Sequence, residues 1–404
     1  MFGADPRLGL ARPFVEERIT RLPSGLVRTE SSSRTVTLDP VSQALLTQED
    51  VTTVNDRSTS IRFDAVGLTR EIVTPEGRTL VQRLDVQGRT IGVRLGDLEE
   101  RTFDYDDSGR LVETRQGQGL RERVTTWTRD AAGNIDTISA LLDGTPLTSA
   151  LRYDAANQVE SLTSPELSTT EFGYDANGNV TRLRPASQPD HGFGFSDLDL
   201  EERYTPPPVS PADPSSHRTY DLDRRPTALL RADGSSITQG YDGFGRLASI
   251  TIPRGTTTLA YAPTTGLLDR IDAPGGESLV FGYDGPLVTS VVSTGSAPGS
   301  LELKYDPDLR VRSESVNGAS GVTFAYDDDS LLVAAGALAI GRDPLTGLVV
   351  STTLGSLTTT RQQDEFGDLE ATTTSAGGAS PLYSVTFERD TLGRIVRKLE
   401  TIED

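Results

Sequence analysis

A tyrosine-aspartate pair, a small turn and a basic-apolar pair recur along this sequence about every twenty-one residues. The clearest copies are Tyr105-Asp106-Asp107-Ser108-Gly109-Arg110, Tyr174-Asp175-Ala176-Asn177-Gly178-Asn179 and Tyr241-Asp242-Gly243-Phe244-Gly245-Arg246. Weaker copies keep the frame at Phe63-Asp64, Leu84-Asp85, Arg129-Asp130, Tyr153-Asp154, Tyr220-Asp221, Tyr283-Asp284, Tyr305-Asp306, Tyr326-Asp327, Arg342-Asp343 and Arg389-Asp390, the last followed by Gly393 and Arg394. So regular a period makes the chain a repeat array before any question of chemistry arises.

Each copy reads as strand, turn, strand. Apolar residues alternate ahead of the aspartate, as in Val322-x-Phe324-x-Tyr326 and Leu279-x-Phe281-x-Tyr283, so they share one face of a strand. The aspartate can accept from backbone amides two residues on, and the following Gly or Asn supplies a positive φ. A second turn falls half a period later, at Ala232-Asp233-Gly234, Pro253-Arg254-Gly255, Pro274-Gly275-Gly276 and Val316-Asn317-Gly318. Each unit therefore holds two strands of about six to eight residues and leaves no room for ordinary helices. No unit has the apolar surface to fold alone, and neighbours must pair edge to edge. The repeat tyrosines end the apolar face and are expected to stack on their equivalents one period away. Tyr204, outside the frame, is expected to matter less.

The pattern resembles the YD-repeat, or Rhs-repeat, family, which includes bacterial Rhs proteins, the B and C subunits of ABC toxin complexes and the teneurins. Matching copies run over residues 60–397. Tyr204-Thr205-Pro206-Pro207-Pro208 and residues 326–360 are similar to further segments of the bacterial members. The resemblance implies an all-β fold, with tandem hairpins winding into a spiral ribbon that forms part or all of a hollow shell. It also implies a domain plan of a strand-rich segment with degenerate repeats at 1–60, then repeats over 61–404 with a Pro-rich insertion at about 186–216. Rhs proteins close with a self-cleavage site of the Asp-Pro-x-Gly type ahead of a variable toxin. Asp343-Pro344-Leu345-Thr346-Gly347 has the wrong spacing for that site and lies within the repeat frame. The expectation is a piece of a longer protein, or an open shell by itself.

Composition fits a folded chain of this kind. The apolar fraction is 35%, or about 45% with the 39 glycines counted, at the low end for globular proteins. A net charge of −20 repels nucleic acid, and no basic patch interleaves with aromatics. Absent cysteine excludes disulfide and thiolate chemistry. Residues 1–20 carry charges without an apolar stretch, so they are no signal peptide, and the longest apolar run, 331–340, is half of what a bilayer needs. That run reads as a buried strand pair around Gly336. The expected location is nonetheless secreted or at a bacterial cell surface.

Nothing points to catalysis. His191 and His217 are the only histidines and fall around the Pro-rich segment, where loop surface is their expected role. Gly318-Ala319-Ser320-Gly321 lacks the spacing of a nucleophile elbow. Asp104-Tyr105-Asp106-Asp107-Ser108-Gly109 opens like an EF-hand loop, but its twelfth position is Arg115 rather than glutamate. Asp327-Asp328-Asp329 and Asp197-x-Asp199 read as turn residues before cation ligands. No cofactor or metal is expected. A β-propeller would need nine or ten blades from about 42 residues each, beyond the usual four to eight. The favoured function is a non-enzymatic wall that encapsulates or presents a toxin or other polypeptide, or joins other segments of a longer Rhs protein. The alternative is an adhesion or carbohydrate-binding module with glycans as partners.

Overall fold

The computed structural model describes residues 1–208, 215–319, 321–378 and 380–403. Strand accounts for 60% of it and helix for 1%, the latter a single 3-10 turn at Gly119–Arg121. Strands run from four residues at Leu332–Ala335 to twelve at Val27–Leu38, a wider spread than the repeat period alone suggests.

The local cause is one turn, built many times. In the copy at 106, the Asp106 carboxylate accepts the amides of Ser108 and Arg110 at 2.9 Å and the Arg110 Nε at 2.8 Å. The backbone closes the loop through Asp106 N–H to the Arg110 carbonyl. Gly109 takes φ 79°, which an L side chain resists, and this explains the glycine three residues after the aspartate. The same bonds recur at Asp154, Asp175, Asp221, Asp242, Asp306 and Asp390. Arg224, Leu309 and Ser330 hold positive φ where other copies have glycine. A register shift beside the tyrosine marks the hairpins at Asp106, Asp154, Asp175, Asp221 and Asp242, as between Gly240 and Tyr241, and Arg389 takes that place before Asp390. Asp284 departs from the pattern. It is buried and pairs with Leu287 across a two-residue turn begun by Gly285.

The chain divides into two compact units, one of Met1–Thr126, Ala140–Pro146 and Leu303–Asp404, the other of Trp127–Ser139 and Leu147–Glu302. Within the first, strands from Glu17–Arg21 to Leu111–Gln116 pair antiparallel with their chain neighbours, as do those from Val322–Tyr326 to Ile395–Ile402. The apolar run at 331–340 forms a hairpin around Gly336, but its strands are half-exposed, not buried.

Within the second unit the same meander runs from Val159–Thr163 to Leu287–Thr294. Its register sorts the residues onto two faces. Phe172 lies opposite Leu183, Phe193 opposite Tyr204, Leu229 opposite Ile237 and Phe281 opposite Val291. The other face sets Glu171 opposite Arg184, Arg203 opposite His217 and Ser249 opposite Thr258. It is stitched by hydroxyl pairs such as Thr251–Thr256 at 2.8 Å and by Arg184–Asp190 at 2.5 Å. Both histidines stand in strands, at His191–Phe195 and Ser216–Tyr220, not in loops as expected. The Pro-rich run follows strand Glu201–Thr205 and leaves them within the repeat.

A conventional core is missing from this arrangement. The accessible surface is 24107 Å², whereas a compact monomer of 43.4 kDa would expose about 15,300 Å². Among the described residues only Leu22, Leu84, Val124 and Val385 are buried apolar side chains. A sheet one layer thick has this property, since each side chain is covered by its lateral neighbours and no second layer closes over it.

Candidate functional site: the repeat turns and the seam they form

Seven of the signature tyrosines point their hydroxyls at the preceding hairpin. Tyr105, Tyr174, Tyr241, Tyr283 and Tyr326 donate to the carbonyls of Thr90, Val159, Pro226, Leu268 and Val311 at 2.7–2.9 Å, always fifteen residues back. Tyr153 and Tyr220 reach Ile135 and Glu201 in the same way. The ring is covered by the turn arginine of the previous repeat. Arg89 lies 4.7 Å from the centre of Tyr105, Arg225 4.7 Å from Tyr241, and Arg310 4.4 Å from Tyr326. The expected Tyr-on-Tyr contact fails because successive tyrosines sit two strands apart, about 10 Å in a sheet. The arginine held by the intervening turn is nearer. Tyr305 ends strand Gly299–Tyr305, and burial raises its phenol above the ordinary value. Tyr204 has partners of its own: Phe193 at 5.3 Å between ring centres, and His191 Nδ1 at 2.8 Å from its hydroxyl.

Asp106, Asp221, Asp242 and Asp390 are held below the usual carboxylate range. For Asp106 the chief cause is the Arg110 amide, opposed by burial and aided by the Arg110 guanidinium, and for Asp221 it is the Arg225 amide. Their charge is spent on the turn itself.

The first unit adds a feature that the repeat period does not announce. Half-period turns at 55–143 meet Tyr-Asp turns at 307–391, some 243–266 residues later. Asn55 Nδ2 donates to Asp308 Oδ1 at 2.7 Å, and Arg57 pairs with the same carboxylate. Arg78, 7% exposed, lies between Asp327, at 2.9 Å, and Asp329. Asp329 also accepts from Thr74 Oγ1 at 2.7 Å and from the Glu76 amide at 3.0 Å. Burial pushes this carboxyl up, but the Glu76, Thr74 and Arg78 bonds hold it below its ordinary value. Further along, the Glu99 amide donates to the Glu365 carbonyl at 2.8 Å, Arg121 meets Glu365 at 2.7 Å, and Arg123 meets Asp368 at 2.6 Å. Phe366 is clamped there, with Arg123 4.0 Å and Arg121 5.7 Å from its ring centre. A Cβ on Gly117 would come within 2.7 Å of that ring. At the end of the row Thr391 Oγ1 donates to the Leu141 carbonyl at 3.1 Å and accepts the Asp143 amide at 2.8 Å.

The seam accounts for the aspartate run at 327–329, whose acids serve an arginine and two backbone turns. Asp199 is likewise taken, by the amides of Asn177 and Asn179 at 2.8 and 2.7 Å. Among the described residues no group of three or more His, Asp or Glu is placed to hold a metal ion. Asp343 accepts the Leu345 and Thr346 amides as a turn residue, and Gly347 has φ 77°. Of the 318–321 segment, Ser320 lies outside the described residues. No helix among the described residues is long and apolar enough to cross a membrane.

A cleft of about 380 Å³ opens along the seam beside Arg57, Thr74, Asp308, Arg310 and Asp329. Ion pairs Arg57–Asp308, Arg310–Asp308 and Arg78–Asp329 run along it. The chemistry it offers is cohesion between turns.

Comparison with known proteins agrees with this geometry. A search of curated protein sequences found no match. Among solved structures, the chain is similar to the TcdB2-TccC3 complex, with TM-score 0.64 and 13% identity over 93% of this chain and 24% of that one. It is also similar to a TcdB2-TccC3-Cdc42 complex, with TM-score 0.57 and 12% identity over 95% and 23%. A third similar structure is the Tc holotoxin pore of Photorhabdus luminescens carrying TccC3-D651A, with TM-score 0.51 and 14% identity over 96% and 22%. At such identities the likeness is one of fold. The chain spans about a quarter of the length of the solved chains it matches. Residues 60–403 match the teneurin YD-shell family. The paired hairpins, their aspartate turns and this match over most of the sequence lead to one assignment: the chain belongs to the teneurin YD-shell family.

Proposed function

We propose that this chain is a length of shell wall that keeps a polypeptide of the toxin kind sequestered without acting on it chemically. The observation that carries the reading is the single-layer ribbon. Its second unit presents an apolar face of Phe172, Leu183, Phe193, Leu229 and Phe281, each of them half-exposed. Such a face favours extended apolar chain over water, while the opposite face, laced by hydroxyls and ion pairs, suits solvent. The turn carboxylates bond their own turns and, along the seam, arginines of other turns, which supports a passive role. Release outside the cell, or display at its surface, belongs to the same reading.

The test is retention of a permanently unfolded protein, reduced and carboxymethylated lactalbumin, by the 404-residue chain. Saturable retention that weakens in Phe193→Ser and Phe281→Ser supports the wall. Retention of nothing, or hydrolysis of peptide, ester or glycoside substrates, overturns it. A second reading, glycan adhesion, draws on the cluster of His191, Phe193 and Tyr204, where the imidazole and phenol rings stack with centres 6.0 Å apart. Dose-dependent binding to a defined glycan, abolished by Tyr204→Ala, would favour it.

A further inference from the structure

Two turns of this chain share the sequence Asp-x-Phe-Gly and the same backbone bonds, but only one phenylalanine is seated against a distant hairpin; Phe244 meets Arg246 of its own turn, 5.1 Å from its ring centre, and is otherwise open. At 364–368 the Asp364 carboxylate accepts the amides of Phe366 and Asp368 at 3.0 and 2.9 Å. At 242–246 Asp242 accepts those of Phe244 and Arg246 at 2.9 Å. Phe366 is seated against Gly117 between Arg121 and Arg123. Phe244, in the second unit, is 87% exposed. The tips of the two preceding Tyr-Asp turns are exposed apolar residues as well, Leu222 at 103% and Leu198 at 55%. Three successive turn tips thus form an apolar row.

We infer that the row Leu198, Leu222 and Phe244 is a docking edge for a partner hairpin that presents arginine beside a close-approaching glycine. The seam defines this chemistry, because there every charged contact sets a half-period arginine (Arg57, Arg78, Arg121 or Arg123) against an acid of a Tyr-Asp turn. The open row keeps that acidic character. Asp197, Asp199, Asp221, Asp223 and Asp242 outnumber Arg224, Arg225 and Arg246, and Asp223 is 73% exposed. A second copy of this chain suits it poorly. The half-period turns of the second unit carry Glu166, Asp233 and Glu277 against Arg231 and Arg254, without the arginine surplus that an acidic edge would need. An arginine edge would find a ring face for cation–π contact and carboxylates on either side.

The probe is a cyclised peptide copying residues 111–126, the hairpin that holds Phe366, with its fold verified by NMR before use. Calorimetry with the full chain should show saturable binding. Phe244→Ser with Leu222→Ser should weaken it about tenfold or more at an unchanged melting temperature, because both side chains are exposed. The peptide carrying Arg121→Ser and Arg123→Ser should bind as weakly. No saturation at about 1 millimolar folded peptide, or equal binding by the double variant, overturns the assignment. Sedimentation is the second arm: self-association of the chain that Phe244→Ser abolishes would give the row to a second copy and overturn the arginine edge.

Discussion

The first unit fastens turns to partners some 250 residues away, through Arg78 and Asp329 or Thr391 and Leu141. The second unit's recorded contacts join neighbouring hairpins, through links such as Tyr241 to Pro226 and Thr251 to Thr256. Yet the hairpins are of one kind. The same aspartate turn that reaches only the adjoining hairpin at 242, where Arg246 bonds the Gly266 carbonyl, reaches a repeat some 240 residues away at 364, where Asp364 meets Arg121. A repeat of this sort is a module with two levels of cohesion, one written into every copy and one that depends on which copies meet.

Arg78→Ala would break that comparison most sharply. It strips two carboxylates, 9% and 8% exposed, of their shared cation, and the loss expected on removing one partner of a buried pair is about 3–5 kcal/mol. Arg184→Ala, which removes a pair 46% and 40% exposed in the second unit, should cost about 0–1 kcal/mol. Chemical denaturation of both variants decides it, and equal losses would erase the distinction between seam and surface.

Tyrosine truncation should treat the two units alike, because the ring seat is the same in each. Tyr105→Ala and Tyr241→Ala should each lose about 2–4 kcal/mol, while Tyr241→Phe, which leaves the Pro226 carbonyl without its donor, should lose about 0.5–1.5 kcal/mol. Tyr204→Ala should join the first group, given its contacts with Phe193 and His191. A negligible effect there would restore the view that only the framed tyrosines matter.

The matched phenylalanines give a smaller contrast. Phe366→Ala should lower stability by about 1–2 kcal/mol through its lost cation–π contacts, and Phe244→Ala should fall within about 0.5 kcal/mol of the parent. Thermal melts of the pair read it directly.

Acid should give the smallest and least selective effect. Asp106 in one unit and Asp221 in the other have folded pKa values below the ordinary 3.8. Depressed carboxylates stabilise the fold above their unfolded pKa, and that contribution fades as pH falls through the folded value. The melting temperature should be flat from neutrality to about pH 5 and decline below about pH 4. A decline near neutrality would implicate other groups.

Much of this was legible in the residues. Asp106 and Gly109 announce a turn, Val322-x-Phe324-x-Tyr326 announces a strand face, and their common period announces pairing with neighbours. The tyrosine seat was available too, since a turn arginine precedes the tyrosine by sixteen residues at 89 and 105, 225 and 241, and 310 and 326. The alternating apolar pattern drew attention to like residues instead. The seam could not be read. Arg78 follows Pro75-Glu76-Gly77 as an ordinary turn residue, and its distinction lies in Asp327 and Asp329, which local patterning does not connect to it. The histidines were misplaced because the proline cluster at 206–208 suggested a loop reaching both, whereas each stands in a strand.

The distance along the chain between seam partners also bears on how this molecule reaches its native state. Hairpins close between residues fewer than twenty apart, so any repeat can nucleate and its neighbours can zip onto it. Contacts between 78 and 329 or between 141 and 391 require both stretches to exist first. They should therefore be the last to appear during refolding and the first to let go under load. In a ribbon without a core, the clasp rather than the fabric would set how long the first unit stays native.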